Sequence, residues 1–329
     1  LFPQKEMEQN RILTFARLKK FLYRRQIIPE IYYFYLSKLY RMRFYKFVIV
    51  SMCLFISACT QAQQQREIKS SEFMKNLKKG KNIEIANKII LDDVDFTSSE
   101  NLQMLSSNQL QNVVEGNIFF TNCIFMGKVT AVGEYKSVAV QTKFNNNLVF
   151  QDCDFRGDVV FDNAVIMGSA NFSKAKFRKD ASFNNIMVWA KDSYFSEVEA
   201  EGTMNMIYAT FNGNLYMRDA VFQQAVSFQG MIVQGMFAAS GMKCSKMAEF
   251  DMLTVGQRAN FNYSSFAQQP TFNQARFHDD ADFVGDTLNN MNEVFEKTYI
   301  YGKLQIDDTV YPSSGNVEQI LQQKGESIK

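Results

Sequence analysis

Between residues 144 and 283 the apolar positions follow a count. They fall at 150, 155, 161, 166, 172, 177 and 183, spaced alternately by five and six. One extra residue intervenes before Phe195. An 11-residue beat then runs through Met206, Met217, Phe228, Ala239, Phe250, Phe261, Phe272 and Phe283. A second column runs half a beat out of phase, through Phe211, Phe222, Val233, Cys244, Val255, Phe266 and Phe277. Two positions before many of these sits a small residue, as at Ala164, Ala170, Ala175, Ala181, Ala209, Ala220, Ala248, Ala259, Ala275 and Ala281. A helical face needs apolar residues at i, i+3, i+4 and i+7, and a half-buried strand needs alternation. A pair at i−2 and i, recurring every five or six residues, instead describes a very short strand followed by a turn, with both side chains on one side. Self-similarity at a short fixed period predicts a solenoid, whose units bury their apolar face by stacking.

Segments such as Ala170-Asn171-Phe172, Ala175-Lys176-Phe177, Ala259-Asn260-Phe261 and Ala281-Asp282-Phe283 resemble the A(D/N)(L/F)xx motif of the pentapeptide-repeat family, with Lys176 a departure at the middle position. The resemblance covers residues 118–290. It implies an all-β fold, a right-handed, four-sided parallel β-helix with the central Phe and the small residue before it facing inward. The extra residue at alternate steps gives about 22 residues per coil, where the plain motif gives 20. On that count Phe150 lies under Phe172 and Phe161 under Phe183, while Phe228, Phe250 and Phe272 form a further column. Roughly seven or eight coils at ~4.8 Å each are expected.

The flanks carry other signals. Residues 1–41 are expected to be an upstream extension with Met42 as the natural start, the rival being a basic amphipathic segment on a membrane surface. Residues 42–58 have the form of an export signal: Arg43 and Lys46 ahead of an apolar run over 47–56, then Ser57 and Ala58. Ile56-Ser57-Ala58-Cys59 resembles a bacterial lipoprotein lipobox, departing from it at Ile56, where leucine is usual. The resemblance implies that Cys59 carries lipid. The run is shorter than the ~20 residues of a membrane span. Thr60 follows, and the lack of an inner-membrane-retaining aspartate implies the outer membrane, facing the periplasm. Residues 59–69 are expected to form a tether, and 70–96 an N-terminal cap and first strands, with a helix from Ser70 or Ser71 to about Lys79. The solenoid is expected over 97–290, interrupted by insertions at 97–116, with a helix over 101–113, and at 126–143. A C-terminal cap over 291–329 follows, with helical character at 286–297, strands at 299–306 and Thr309–Tyr311, and a last helix at Val317–Gln323.

Composition narrows the function classes. With 329 residues, 46% apolar, and only four prolines, the chain is neither disordered nor a multi-span membrane protein. Of 36 basic and 34 acidic residues, 11 and 3 lie in 1–58; the remainder holds 25 and 31, a net charge of −6. A mildly acidic exported protein is a poor partner for nucleic acid.

Chemistry-bearing residues are few. The one histidine, His278, stands beside Asp279 and Asp280. It directly follows the inward Phe277 and is expected at a solvent-facing turn, where three neighbouring side chains do not converge on a metal without further ligands. No catalytic, cofactor or metal residue is assigned. Cys123 and Cys153 take small inward positions and Cys244 a central one, expected as buried thiols standing in for alanine, with a Cys123–Cys153 bridge the alternative in an oxidising compartment. Trp189 and Tyr194 flank the single-residue insertion, where repacking around a bulge is expected over a surface aromatic patch. Residues 145–147 and 289–292 are expected as solvated turns.

The expected function is therefore non-enzymatic: an envelope scaffold anchored through Cys59 that presents a rod surface and two loops to a protein partner, with homo-oligomerisation left open. Two alternatives stand. Some pentapeptide-repeat proteins mimic duplex DNA and bind DNA gyrase, which requires a cytoplasmic acidic rod. An envelope carbohydrate-binding protein is the other.

Overall fold

The computed structural model describes residues 66–97, 102–106, 108–286, 288, 291–311 and 314–323. The expected upstream extension, the expected export signal, Cys59 and most of the expected tether lie outside them. The described chain winds through four walls. In one coil it passes Ala170–Asn171 (wall 1), Lys176–Phe177 (wall 2), Ala181–Ser182 (wall 3) and Met187–Val188 (wall 4), then returns to wall 1 at Asp192–Tyr194. Walls 1 to 4 are sheets of eleven, nine, seven and twelve strands. Successive coils pair in parallel and 22 residues apart, as in Leu148↔Ala170, Phe155↔Phe177, Val159↔Ala181 and Val165↔Met187. The extra residue before Phe195 makes one interval 23, as in Asn171↔Tyr194 and Ala181↔Met204, after which 22 resumes.

The expected inward residues are the core. Phe150, Phe161, Phe172, Phe183 and the alanines at 164, 170, 175 and 181 are fully buried. Rings stack within a wall and meet edge-on across walls: Phe155–Phe177 lie 5.1 Å apart at 4°, Phe172–Phe183 5.1 Å at 78°. Both geometries suit the ring quadrupole, and each fully buried Phe contributes roughly 1.5–3 kcal/mol. One column assignment changes. Phe228, Phe250 and Phe272 do not form a further column; register places them on wall 3 with Phe161 and Phe183 (Val159↔Ala181↔Met204↔Val226↔Ala248).

The alternation of five and six has a structural cause. Five-residue steps turn through a tight β-turn, closed for example by the Ala164 N–H donating to the Phe161 carbonyl at 3.1 Å. The residue before the small one is left-handed: Asn163 φ 57, Lys174 59, Asn185 53, Glu197 57. Six-residue steps make a wider corner. There an Asn or Asp side chain accepts the next coil's backbone N–H: Asn147 from Ser169 at 2.9 Å, Asp180 from Thr203 at 2.9 Å, Asn214 from Met236 at 2.8 Å. Coils come so close here that a Cβ on Gly168 would stand 2.5 Å from the Asn146 backbone. The turn expected at 145–147 is thus also part of a hydrogen-bonded column.

Both insertions leave at the corner from wall 3 to wall 4, and both are hairpins. The first pairs Leu102–Ser106 with Gln109–Val114, the second Val132–Tyr135 with Val138–Phe144. Their inner strands pair in parallel from Ala139↔Gln109 to Phe144↔Val114, widening wall 4 at its N-terminal end. The second hairpin turns through Lys136 (φ 49) and Ser137 (φ 62), both left-handed, which matches strand twist. At the root, the buried Thr142 hydroxyl donates to the Ala131 carbonyl at 2.8 Å and the Asn112 amide to the Phe96 carbonyl, satisfying acceptors freed where the chain departs. The helix expected over 101–113 is therefore absent. The open edge of wall 4 recruits these residues into strands, and tertiary pairing overrides local preference.

The stack is longer than the repeat suggested. Glu67–Ile68, inside the expected tether, already pairs with Ile89–Ile90. Wall 1 runs to Leu304–Ile306, ten strands in parallel before Thr309–Tyr311 turns back antiparallel. The N-terminal end is covered by the helix Ser70–Leu77, whose Phe73, Met74 and Leu77 are buried, with Phe73 edge-on to Phe120 at 5.3 Å. At the other end, among the described residues of the expected 286–297, Met291–Val294 is helical, so Asn292 lies in a helix rather than a turn. Phe295 keeps the beat instead, stacking on Phe272 at 5.5 Å. The final helix is Val317–Gln323.

Candidate interaction surfaces

With Phe and Ala used inside, any function is left to the outward positions. On wall 2 these alternate in charge. Asp154, Lys176 and Glu199 succeed one another in register, with Arg156, Arg178 and Glu201 two residues on. Lys176 Nζ lies 2.9 Å from Glu199, and Lys174 Nζ 3.7 Å from Glu197. Arg178 donates to Asp154 at 2.9 Å and also to Glu201. The Asp154 contact comes first among the causes that raise the Arg178 pKa. A shallow depression runs along this face from Asn122 to Val221. Exposed pairs of this sort contribute little stability each.

Behind that depression lie two of the thiols. Cys123 and Cys153 sit one coil apart, tied by the Asp154 N–H donating to the Cys123 carbonyl at 2.8 Å. Both are buried and free, as is Cys244. The Cys123 thiol donates to the Thr121 carbonyl at 3.4 Å and the Cys153 thiol to the Gln151 carbonyl at 3.5 Å; the neighbouring Cys153 lowers the Cys123 pKa, while burial pushes Cys153 up and Cys244 up to about 12.

Wall 4 is apolar outside over two coils, between the outward Lys143 and Thr210. Val165 and Met187 are in register, and Met167 (40% exposed), Met187 (37%) and Trp189 (52%) leave thioethers and an indole in water. The hairpin sheet widens the same wall beside them. Trp189 and Tyr194 neither repack around a bulge nor share one patch. Tyr194 belongs to wall 1, where it stacks on Tyr216 at 5.3 Å and 11°, with the Arg218 guanidinium 5.6 Å from the Tyr216 ring. Desolvation raises the Tyr194 pKa. The signal missed in the sequence was parity: residues 187 and 189 alternate with the inward Val188, so both face out.

His278 is exposed at the end of Arg276–Phe277, and its ring stacks on Tyr301 at 4.8 Å. The Asp280 carboxylate accepts the Lys303 N–H at 2.8 Å and so serves the corner. Among the described residues no group of three His, Cys, Asp or Glu side chains could hold a metal ion, and no helix is long and apolar enough to cross a membrane. Cys59, the one residue assigned a role from sequence, lies outside the described residues.

The C-terminal coil holds the most perturbed carboxylate. Asp286 takes the inward slot that Cys153, Ala175, Val198, Ala220, Met242 and Ser264 fill in earlier coils. Burial pushes it up to about 8, against the Ser264 N–H that it accepts at 2.7 Å, and Asp307 adds to the rise.

No curated protein and no solved structure matches the chain. A family model described as pentapeptide repeats (9 copies) matches residues 139–186, a span that includes the first fully regular coil. Four stacked walls, a central Phe or aliphatic residue inward, and a small residue two before it extend that pattern well beyond the matched span. Residues 139–186 thus carry pentapeptide repeats, and the four stacked walls continue their pattern on either side.

Proposed function

We propose that this protein is a lipid-anchored, non-enzymatic scaffold of the cell envelope, held to the outer membrane through Cys59 and presenting wall 4 to a protein partner. Proteins of this family are typically structural or interaction proteins, which agrees with that reading. The observation that carries it is an apolar patch on the outer face of wall 4, where Met167, Met187 and Trp189 stand exposed beside the paired hairpins. Trp and Met are enriched in protein interfaces, and a flat sheet face offers a rigid platform for them. The export signal ahead of Cys59 supports the location, and a multiply acylated cysteine anchors stably.

Wall 2 speaks against gyrase binding by DNA mimicry. Its acidic residues alternate with lysines and arginines paired to them, so it does not form an unbroken acidic stripe. The carbohydrate reading has one observation in its favour, the exposed Trp189 ring, which could stack on a sugar face. Two experiments in the native cell decide. Radiolabelled palmitate should label the protein and fail to label a Cys59→Ala variant. A photo-crosslinking residue in place of Met187 should capture a protein at a discrete mass, while one in place of Ser265 should not. Binding on a glycan array without a crosslinked protein would favour the carbohydrate reading.

A further inference from the structure

We propose that the N-terminal end of the solenoid docks on anionic phospholipid headgroups through Lys75, Lys78, Lys79 and Lys81. The inference rests on the reading of Cys59 as the lipid anchor and adds what the anchored end then touches. Lys75 is exposed on the helix, Lys78 at its C-terminus is half-buried, and Lys79 and Lys81 are exposed in the turn that follows. Residues 69–81 contain five lysines and one carboxylate. That carboxylate, Glu72, accepts the Lys69 N–H at 3.0 Å. Two more carboxylates border the surface, and both are engaged. Asp92 accepts the Ser70 N–H at 2.6 Å, and Glu115, beside Gly80, accepts from the Asn145 amide at 2.7 Å. Among the described residues, no ion pair involves the four lysines. The helix dipole favours lysines in and just after its last turn, but Lys81 lies beyond that turn.

Chain length supplies the occupant. Seven residues, 59–65, join the anchor cysteine to Arg66, and a fully extended chain of that length spans at most about 25 Å. The next residues, Glu67–Ile68, are the first strand of wall 2, and the lysine-bearing helix follows directly. The tether therefore delivers this end of the molecule, and not the far end, to the membrane surface. Polybasic segments next to a membrane are drawn to anionic lipid over about a Debye length, so the attraction is weakened by salt.

The test uses the full chain carrying Cys59→Ala and two vesicle preparations, phosphatidylcholine alone and phosphatidylcholine with about one-third phosphatidylglycerol. Residues 1–58, with their 11 basic side chains, are common to every variant, so the four lysines are read as the change in the preference for anionic over neutral vesicles. Lys75→Glu, Lys78→Glu, Lys79→Glu and Lys81→Glu together should cut the preference for anionic vesicles by ~10-fold or more, and high salt should abolish the same increment. Reversing Lys243 and Lys246, far along the stack, should leave it unchanged. The four lysines changed to glutamine should give a smaller drop in the same direction, which guards against an effect of inserted acid. An unaltered preference in both the glutamate and glutamine variants would overturn the docking surface. Failure of palmitate to label the protein with Cys59 intact would overturn the anchor instead, and the vesicle comparison does not depend on it.

Discussion

From Leu148 to Phe266 all four walls advance together, each coil adding a strand to every sheet. Past Thr271 walls 2 and 3 stop, while walls 1 and 4 add Leu304–Ile306 and Tyr299–Ile300. The two regions differ at two positions. Pro270 enters wall 3 where earlier coils have Ala248, Val226 and Met204, and lacking an N–H it leaves only an isolated bridge, Glu249↔Thr271. Asp286 enters the inward row at wall 2, where a carboxylate resists burial. The regular coils propagate because each inward slot is apolar or small and each strand residue supplies its N–H; the stack ends where Asp286 breaks the first condition and Pro270 the second. Its open end is then closed by antiparallel Thr309–Tyr311 and Gly315–Asn316, with the buried Val317, Ile320 and Leu321 beneath.

That contrast can be broken by mutation. The largest effect should come from the middle. Phe172→Ala opens a cavity between Phe150 and Phe195 and should destabilise by about 3–5 kcal/mol, read as a lowered denaturation midpoint. Ala181→Leu overfills a slot with no exposed surface and should cost ~1–3 kcal/mol in the same measurement.

A pH-dependent effect belongs to the C-terminal end. Burial raises the Asp286 pKa in the folded state from the ordinary 3.8 to about 8, so the folded protein binds this proton more tightly than the unfolded chain. Stability from this group is therefore present at low pH, declines as pH rises from about 4 to about 8, and is flat above. Asp286→Asn should remove that slope. A slope surviving unchanged would assign it to other groups. Smallest of all should be Lys174→Gly. It relieves a left-handed lysine at φ 59 but frees the unfolded chain, and the two effects should cancel to within ~0.5 kcal/mol in the denaturation midpoint.

The core was legible because each inward residue leaves a mark at a fixed interval. Phe150, Phe161, Phe172 and Phe183 could be placed by counting. The hairpins were not legible, since Gln109–Val114 is held between the adjacent Leu102–Ser106 and a strand thirty positions later, which no local window contains. The C-terminal end was half-legible: Pro270 and Asp286 stand in apolar slots, a departure that counting could have flagged. The surfaces were least legible. Outward positions obey no period, so Met167, Met187 and Trp189 emerged as one face only once parity and coil number were both known. The lysines at 75–81 were visible as charge, but their place at the end of the stack required the helix to be seated there.

The central claim, that positions one coil apart lie directly one above another, can be measured with pairs of spin labels on wall 1. Val149 would carry one label and Ala238, Asn260 or Gln305 the other, four, five and seven rungs away by register. At ~4.8 Å per rung the separations should rise in proportion, near 19, 24 and 34 Å. Separations that fail to grow with rung number would contradict the stack.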